Sequence, residues 1–340
     1  MKYYELEKKL YAVCRDLKNT IHKLKKDIWL CKMNVSNKRK APDIMNASDI
    51  LTFFTKSIRN KNDATNKIRE NILKIIGNPP KDYLTHSEYG PNWCLVQKEW
   101  NEAIGKIAED TNVPAYTSVE TRVKGGRRSN YDADIEYHND STLVAKRKIE
   151  FKNGGTSIDG LPQFLSQPVK GKFGLLFPVT YDKFFYENYL DRYLACDAGL
   201  TESKPTDVQY LKQVSKDKND NPFFVQLKER RHVLKEGKNL IVNNSITDYL
   251  TQYGSSINLE MFTEKIKTTQ TDKIFLLWSQ GKFYTDKLHP DEMSNMTFHG
   301  IKNGNVLEIK AGQTIYGLLL RWKNSKGILY PAWQISMKRI

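Results

Sequence analysis

The stretch that most constrains the fold is YDADIEYHNDSTLVAKRKIEFK, residues 131–152. Every second residue of its first part is apolar, and the residues between them are acids. The apolar residues are Ala133, Ile135 and Tyr137, and the acids are Asp132, Asp134 and Glu136. This alternation is typical of a β-strand with one face in the core. After the turn HND, the run TLVAKRKIEFK returns with Glu150 and Lys152 on a single face. The sequence therefore predicts an antiparallel hairpin with the carboxylates of both strands on the same face.

Neighbouring carboxylates repel one another unless a positive charge lies between them. Mg²⁺ prefers oxygen ligands, and we expect it to bind between Asp134 and Glu150. Lys152, two residues beyond Glu150, can stabilise the charge that develops on an attacked phosphate. Together these groups suit the hydrolysis of a phosphodiester bond. The alternative is a solvated hairpin face on which the acids form ion pairs with Lys146 and Lys148.

This pattern resembles the PD-(D/E)XK nucleases, whose best-known members are type II restriction endonucleases. The matching residues are Asp134 and the triplet Glu150-Phe151-Lys152, and the resemblance covers about residues 92–195. It implies an α/β (α+β) fold with a restriction-endonuclease-like mixed sheet flanked by helices. It implies that Asp134, Glu150 and Lys152 are catalytic, and that the two acids and the backbone carbonyl of Phe151 bind Mg²⁺, for which Mn²⁺ can substitute. Ala133 stands where the family name has proline.

A helix predicted over about residues 92–110 supplies two further candidates. In many relatives of this type a glutamate on the preceding helix reaches the metal, which here indicates Glu99 or Glu102. The alternative for either residue is a solvated helix face.

The net charge of +15 favours a polyanionic partner, and we expect double-stranded DNA. A lysine-rich composition inherited from an AT-rich genome is the alternative explanation. Several basic and amide side chains near the hairpin are candidate DNA contacts. They are Lys124, Arg127, Arg128, Gln163, Gln167, Lys170 and Lys172. For the loop KGGRR, residues 124–128, an ordinary turn with solvated ends is an equal alternative.

A second stretch spells the family motif more literally. Pro290-Asp291 is followed by Glu308-Ile309-Lys310. Asp291 lies in a polar stretch without strand alternation, and more strand follows Lys310 where the family has a helix. These features favour the hairpin around Asp134 as the site.

The chain divides into three predicted regions. Residues 1–90 form a helical subdomain that clamps DNA or dimerises, and its first 33 residues carry an apolar stripe at helical spacing. Residues 91–200 form the catalytic core, in which a short helix within SIDGLPQFLSQ, a strand FGLLFP and a helix YDKFFYENYLDRYL follow the hairpin. A polar boundary at 201–222 precedes a β-rich region, 223–340, as a possible DNA-recognition element.

Other classes of protein are disfavoured by what the sequence lacks. The four cysteines are scattered, and there is no zinc-type histidine spacing, no GxxxxGK[ST] loop, no apolar run long enough for a membrane span and no secretory signal. We therefore expect a cytoplasmic, Mg²⁺-dependent DNA endonuclease of type II, without a nucleotide cofactor, that leaves 5′-phosphates. Cutting both strands with one site per chain suggests a homodimer. The alternatives are a non-specific or repair deoxyribonuclease of the same fold, a non-catalytic DNA-binding protein, and a helical scaffold.

Overall fold

The computed structural model describes most of the chain from residue 45 onward. The described residues are 45–55, 62–124, 131–159, 161, 165–168, 176–214, 221–230, 232–233, 235–325 and 328–340. From Ala47 to Ile340 they belong to one compact unit. The helix predicted over residues 1–33 lies outside the described residues.

Helices occupy much of the described chain, after a 3₁₀ helix at Ala47–Phe53. In chain order the α-helices are α1 (Asn62–Leu73), α2 (Lys81–Leu84), α3 (Gly90–Asp110), α4 (Tyr181–Asn188), α5 (Leu190–Ala195), α6 (Asp207–Gln213), α7 (Pro222–Glu229), α8 (Lys235–Tyr253) and α9 (Leu259–Gln270). Among these described helices, none is both long and apolar enough to cross a membrane.

The strands form two five-stranded sheets. They are β1 (Ser118–Val123), β2 (Ala133–Asn139), β3 (Thr142–Asn153), β4 (Leu165–Pro168), β5 (Lys273–Ser279), β6 (Lys282–Asp286), β7 (Thr297–Lys302), β8 (Val306–Ala311), β9 (Thr314–Ser325) and β10 (Ile328–Arg339). The first sheet has the order β1-β2-β3-β5-β6, and the second has the order β4-β10-β9-β8-β7. Among the strand pairs of the described residues, β3–β5 alone is parallel, so the first sheet is mixed and the second is antiparallel.

In the first sheet, β5 lies between β3 and β6, and its sequence KIFLLWS is almost entirely apolar. The sequence of a strand that is buried on both faces is typically a continuous apolar run, because neither face contacts water. One face of β5 carries Phe275 and Leu277, which belong to the large core shared with α8, α9 and the second sheet. On the other face, the indole nitrogen of Trp278 donates to the Phe53 carbonyl at 2.7 Å.

Helix α3 covers the apolar face of the hairpin. The Tyr137 hydroxyl donates to the carbonyl of Ile104 at 3.1 Å, and the rings of Trp100 and Phe283 lie 5.7 Å apart. Because successive side chains of a strand point to opposite faces, the acids of β2 lie on the side of the sheet away from α3.

The structure confirms the mixed α/β class and much of the predicted order of elements. Helix α3 and strands β2 and β3 lie where the sequence predicted a helix and an antiparallel hairpin. The hairpin strands pair antiparallel, with Ala133 opposite Ile149.

Two elements after the hairpin differ from the prediction. The described part of FGLLFP, residues 176–178, forms no strand, although Leu176 and Phe177 are buried. The strand added to the hairpin sheet is β5 instead, which comes about a hundred residues later in the chain. The segment predicted as a short helix contains β4, which pairs with β10 in the second sheet.

The predicted C-terminal β-rich region, 223–340, also contains helices. Most of α7 and all of α8 and α9 precede its strands, and β5 and β6 join the hairpin in the first sheet. The two sheets therefore take strands from both sides of the polar stretch at 201–222.

Candidate active site

Four ionisable side chains meet at the edge of the large core, on the acid face of the hairpin. Asp132 immediately precedes β2, and its backbone N–H donates to the Ile149 carbonyl at 2.9 Å. Glu150 and Lys152 lie near the end of β3, and Lys273 is the first residue of β5. The parallel register pairs Lys148 with Lys273 and Glu150 with Phe275, so the Lys273 side chain shares this face.

A β-bulge in β3 brings the acids of the two strands onto one face. His138 pairs with Leu143, but the next residue of β2, Tyr137, pairs with Ala145, so Val144 has no partner on β2. Because a shift of one residue turns every side chain to the opposite face, a hairpin in which Val144 paired in the regular register of the turn would place Glu150 opposite Tyr131. With the bulge, Ala133 pairs with Ile149, and continuing that register by one residue puts Glu150 beside Asp132.

The carboxylate of Glu150 is held by two ammonium groups. Lys152 Nζ lies 2.5 Å from Oε1, and Lys273 Nζ lies 3.0 Å from Oε2. The Asp132 carboxylate accepts a hydrogen bond of 2.8 Å from the backbone N–H of Phe151. Residues from two other parts of the chain, Asp132 and Lys273, therefore converge on the Glu150-Phe151-Lys152 triplet.

The pKa shifts describe a site with two close carboxylates. Burial and the negative charge of Glu150 raise the pKa of Asp132 to about 6, although Lys152 opposes the shift. Burial alone would raise the pKa of Glu150 as well, but the charges of Lys152 and Lys273 outweigh it and hold that pKa below its usual value. Burial lowers the pKa of Lys273, and Glu150 partly offsets this effect. Two carboxylates and two ammonium groups thus lie together at this edge, and Asp132 is the carboxylate whose pKa is raised.

Asp134 shares the acid face with Glu150, as predicted, but its contacts lie elsewhere. It stands opposite Lys148 in the register, and its fully buried carboxylate lies 2.8 Å from Lys124 Nζ and 2.7 Å from Lys146 Nζ. Burial would raise the pKa of Asp134, but hydrogen bonds from these two lysines outweigh it and lower the pKa. The structure therefore places Asp132, and not Asp134, directly beside Glu150. Asp134 instead forms an ion pair with Lys146, which is the contact expected if the acids of the hairpin pair with its lysines.

The two glutamates proposed on α3 lie on the wrong side of the sheet for this site. Helix α3 packs on the apolar face of the hairpin, and Glu102 is exposed on its outer side, 3.7 Å from Lys98. Glu70 on α1 is a helical acid that acts on the site through its charge. This negative charge contributes to the raised pKa of Asp132. The Glu70 carboxylate also forms an ion pair of 2.7 Å with Lys67.

The proposed DNA contacts fall largely outside the described residues. Arg127, Arg128, Gln163, Lys170 and Lys172 lie in that part of the chain. Gln167 lies in β4, opposite Trp333 in the second sheet. Lys124 is described, and its ammonium is engaged by Asp134.

The rival motif is spread over two elements of the second half of the chain. Asp291 is exposed in a 3₁₀ turn at Pro290–Met293, whereas Glu308 and Lys310 lie on β8. The neighbouring acid Glu292 is buried and bonded to Arg339 at 2.5 Å. Glu308 forms its ion pair with Lys302, at 3.7 Å.

A further group on the acid face has the ligand types of a metal site. The carboxylates of Glu120 and Glu136 and the imidazole of His138 have ligand atoms within 4.8 Å of one another. However, Arg122 binds both carboxylates, at 3.1 Å from Glu120 and 2.9 Å from Glu136. An arginine thus supplies the positive charge that a metal would bring there.

Sequence reasoning did not single out Asp132, Glu70 or Lys273. The signal for Asp132 was present in the alternation of acids, but the bulge decides which acid meets Glu150. For Lys273 and Glu70, the residues lie far along the chain from the hairpin, and no local pattern links them to it. Comparisons of the chain with protein-family models, with curated proteins and with solved structures found no match.

Proposed function

We propose that this chain is a Mg²⁺-dependent endonuclease that hydrolyses phosphodiester bonds of double-stranded DNA and leaves 5′-phosphates. It would act as a homodimer of the type II restriction kind, with a PD-(D/E)XK-like site in which Asp132 takes the role that the sequence pattern gave to Asp134. The observation that carries this proposal is the meeting of Asp132, Glu150 and Lys152, with the Phe151 N–H bonded to the Asp132 carboxylate.

The donor set suits Mg²⁺. Two carboxylates share one edge of the sheet, and their mutual repulsion contributes to the raised pKa of Asp132. A divalent cation with oxygen ligands would relieve that repulsion, so Asp132 and Glu150 are the residues that would hold it. When bound, Mg²⁺ would polarise the phosphate and lower the pKa of a water molecule.

The protein groups of the site have distinct roles in this proposal. Lys152 is about a quarter exposed, so its ammonium can turn from Glu150 towards a bound phosphate and stabilise the negative charge of the transition state. The Phe151 N–H fixes the orientation of the Asp132 carboxylate. Glu70 adds negative charge from α1, whereas the sequence pattern expected the helical glutamate on the later helix α3.

The test is to incubate the purified protein with supercoiled plasmid DNA, with Mg²⁺ or with a chelator, and to sequence the ends. We expect discrete fragments with 5′-phosphates in the presence of Mg²⁺ and intact plasmid with the chelator. A smear of fragments would indicate a non-specific nuclease of the same site. Intact plasmid with a shifted electrophoretic band would indicate a DNA-binding protein without this activity.

Variants assign the activity to the site. We expect Lys152→Ala to lower the cleavage rate at least a hundredfold, because a positioned charge is worth several kcal/mol in the transition state. The matched control is Lys310→Ala in the rival motif, which should cleave like the wild type. Activity that disappears only in the control would place the chemistry at Asp291, Glu308 and Lys310.

A further inference from the structure

Lys273 contributes a cation to the candidate active site that is far more deeply buried than Lys152. Its side chain is only 1% exposed, and its ammonium lies 3.0 Å from Glu150 Oε2. The Nζ atom also lies 5.3 Å from the centre of the Phe275 ring. An ammonium placed this deeply requires a fixed counter-charge, and Glu150 supplies it.

The two oxygens of Glu150 are therefore held by cations of different mobility. Lys152 reaches Oε1 from the same strand, and its partial exposure gives it a route into solvent. Lys273 reaches Oε2 from β5, where the neighbouring residues Phe275 and Leu277 are buried in the large core. Only the ammonium of Lys152 can leave without exposing apolar surface.

We propose that Lys273 is a positioning residue, which fixes the Glu150 carboxylate through Oε2 and presents Oε1 to a divalent cation. This inference rests on the proposed nuclease function and adds a residue from β5 to its site. Lys273 acts through Glu150 and does not touch the substrate. Because the ion pair with Lys273 occupies Oε2, Oε1 is the oxygen of Glu150 that becomes the metal ligand when Lys152 turns away.

Removing the Lys273 ammonium should separate metal binding from turnover. The site becomes one charge more negative, so a divalent cation should bind more tightly. At the same time Glu150 loses the contact that orients it, so cleavage should slow. A lysine with a purely structural role would change the thermal stability without producing this opposite pair of effects.

The experiment compares wild type, Lys273→Met and Lys148→Met. Lys148 is the register partner of Lys273 and forms its ion pair with Asp272, so the control removes the same group from the neighbouring position. Mn²⁺ binding is titrated by electron paramagnetic resonance, and plasmid cleavage is measured at saturating Mg²⁺. For Lys273→Met we expect Mn²⁺ affinity at least threefold higher and cleavage at least tenfold slower. For Lys148→Met we expect both quantities within about twofold of wild type.

Each other outcome decides against the inference. Cleavage by folded Lys273→Met at the wild-type rate would reduce Lys273 to a structural residue and leave the proposed function intact. Weaker Mn²⁺ binding by Lys273→Met would contradict the inference that Lys273 leaves Glu150 Oε1 available as a metal ligand. If wild type cleaves no DNA with Mg²⁺ or Mn²⁺, the proposed function fails, and Mn²⁺ binding by Lys273→Met that is no tighter than in wild type then overturns this inference separately.

A second pair of variants keeps the inference testable if Lys273→Met does not fold. Lys273→Arg and Lys273→Gln both keep a hydrogen-bond donor, but only arginine keeps the charge. We expect Lys273→Gln to bind Mn²⁺ more tightly than Lys273→Arg. Equal Mn²⁺ affinities of the two variants would contradict the inference.

Discussion

At the scale of single residues, Asp132 and Asp134 show how two acids on one strand face acquire opposite electrostatic roles. Asp132 lies beside another carboxylate, and burial together with Glu150 raises its pKa to about 6. Asp134 lies between two ammonium groups, which outweigh its burial and lower its pKa. An acid with a raised pKa weakens the fold once it is ionised, whereas an acid with a lowered pKa strengthens it.

This difference gives a prediction for the metal-free protein. We expect Asp132→Asn to raise the free energy of unfolding at pH 7.5 by about 1–2 kcal/mol, because asparagine keeps an acceptor for the Phe151 N–H and removes the repulsion. The gain should vanish as the pH falls through about 6 towards 4, where Asp132 in the wild type becomes protonated. Urea unfolding in the presence of a chelator measures both quantities.

The matched control, Asp134→Asn, should shift the stability in the opposite direction, because it leaves Lys124 and Lys146 without their shared counter-charge. In cleavage assays the more stable variant should be the less active one. We expect the cleavage rate of Asp132→Asn to fall at least a hundredfold and that of folded Asp134→Asn to fall less than tenfold. An inactive but folded Asp134→Asn beside an active Asp132→Asn would return the metal site to Asp134.

At the scale of elements, the bulge at Val144 sets the geometry of the candidate site. The alternation of β2 and β3 could be predicted from sequence, because it depends on neighbouring residues. The bulge could not, since it results from fitting one extra residue of β3 between the turn and the core-facing Ile149. The partner strand β5 could not be placed either, because its pairing with β3 is non-local and its apolar run fits many positions in a sheet.

Deleting Val144 should therefore leave the site intact. The deletion removes the unpaired residue, and a regular ladder from the turn still places Glu150 opposite Asp132. We expect a folded protein that retains at least a third of the wild-type cleavage rate. An alanine inserted after Lys146 has the opposite effect, because Glu150 then falls opposite Tyr131 and Phe151 leaves the core face.

Circular dichroism melts and plasmid cleavage compare these two variants. The insertion should lower the melting temperature and abolish cleavage. A folded but inactive Val144 deletion would mean that the bulge also orients side chains of the site, beyond its effect on the register.

At the scale of the whole molecule, the described part of the polar stretch, residues 201–214 and 221–222, belongs to the same compact unit as its neighbours. Composition indicated a boundary there, because the stretch has many charged residues and little apolar periodicity. The structure instead contains α6, begun by a capping box between Thr206 and Gln209, and its Tyr210 is buried in the large core. A single buried tyrosine carries too little periodic signal to predict such a helix.

An ion-pair cluster ties the chain together across this stretch. Asp197, just after α5, is almost fully buried and lies 2.5 Å from Arg230 at the end of α7 and 2.8 Å from Lys238 on α8. The hydrogen bond from Arg230 is the largest of the effects that hold the pKa of Asp197 well below its usual value. Because Lys238 is also buried, loss of the carboxylate would leave an ammonium without its counter-charge in the interior.

We therefore expect Asp197→Asn to lower the free energy of unfolding at pH 7 by about 3 kcal/mol. An acid with a lowered pKa contributes stability above its unfolded-state pKa, near 4, and loses that contribution as the pH falls through the lower pKa of the folded state. The difference between wild type and Asp197→Asn should thus be largest at neutral pH and shrink below pH 4, as measured by urea unfolding. Asp191→Asn is the matched control, since the exposed Asp191 carboxylate pairs with Lys204 at 2.9 Å and should contribute less than about 0.5 kcal/mol at any pH. Equal effects of the two substitutions at pH 7 would show that the Asp197 cluster does not stabilise the junction between α5, α7 and α8.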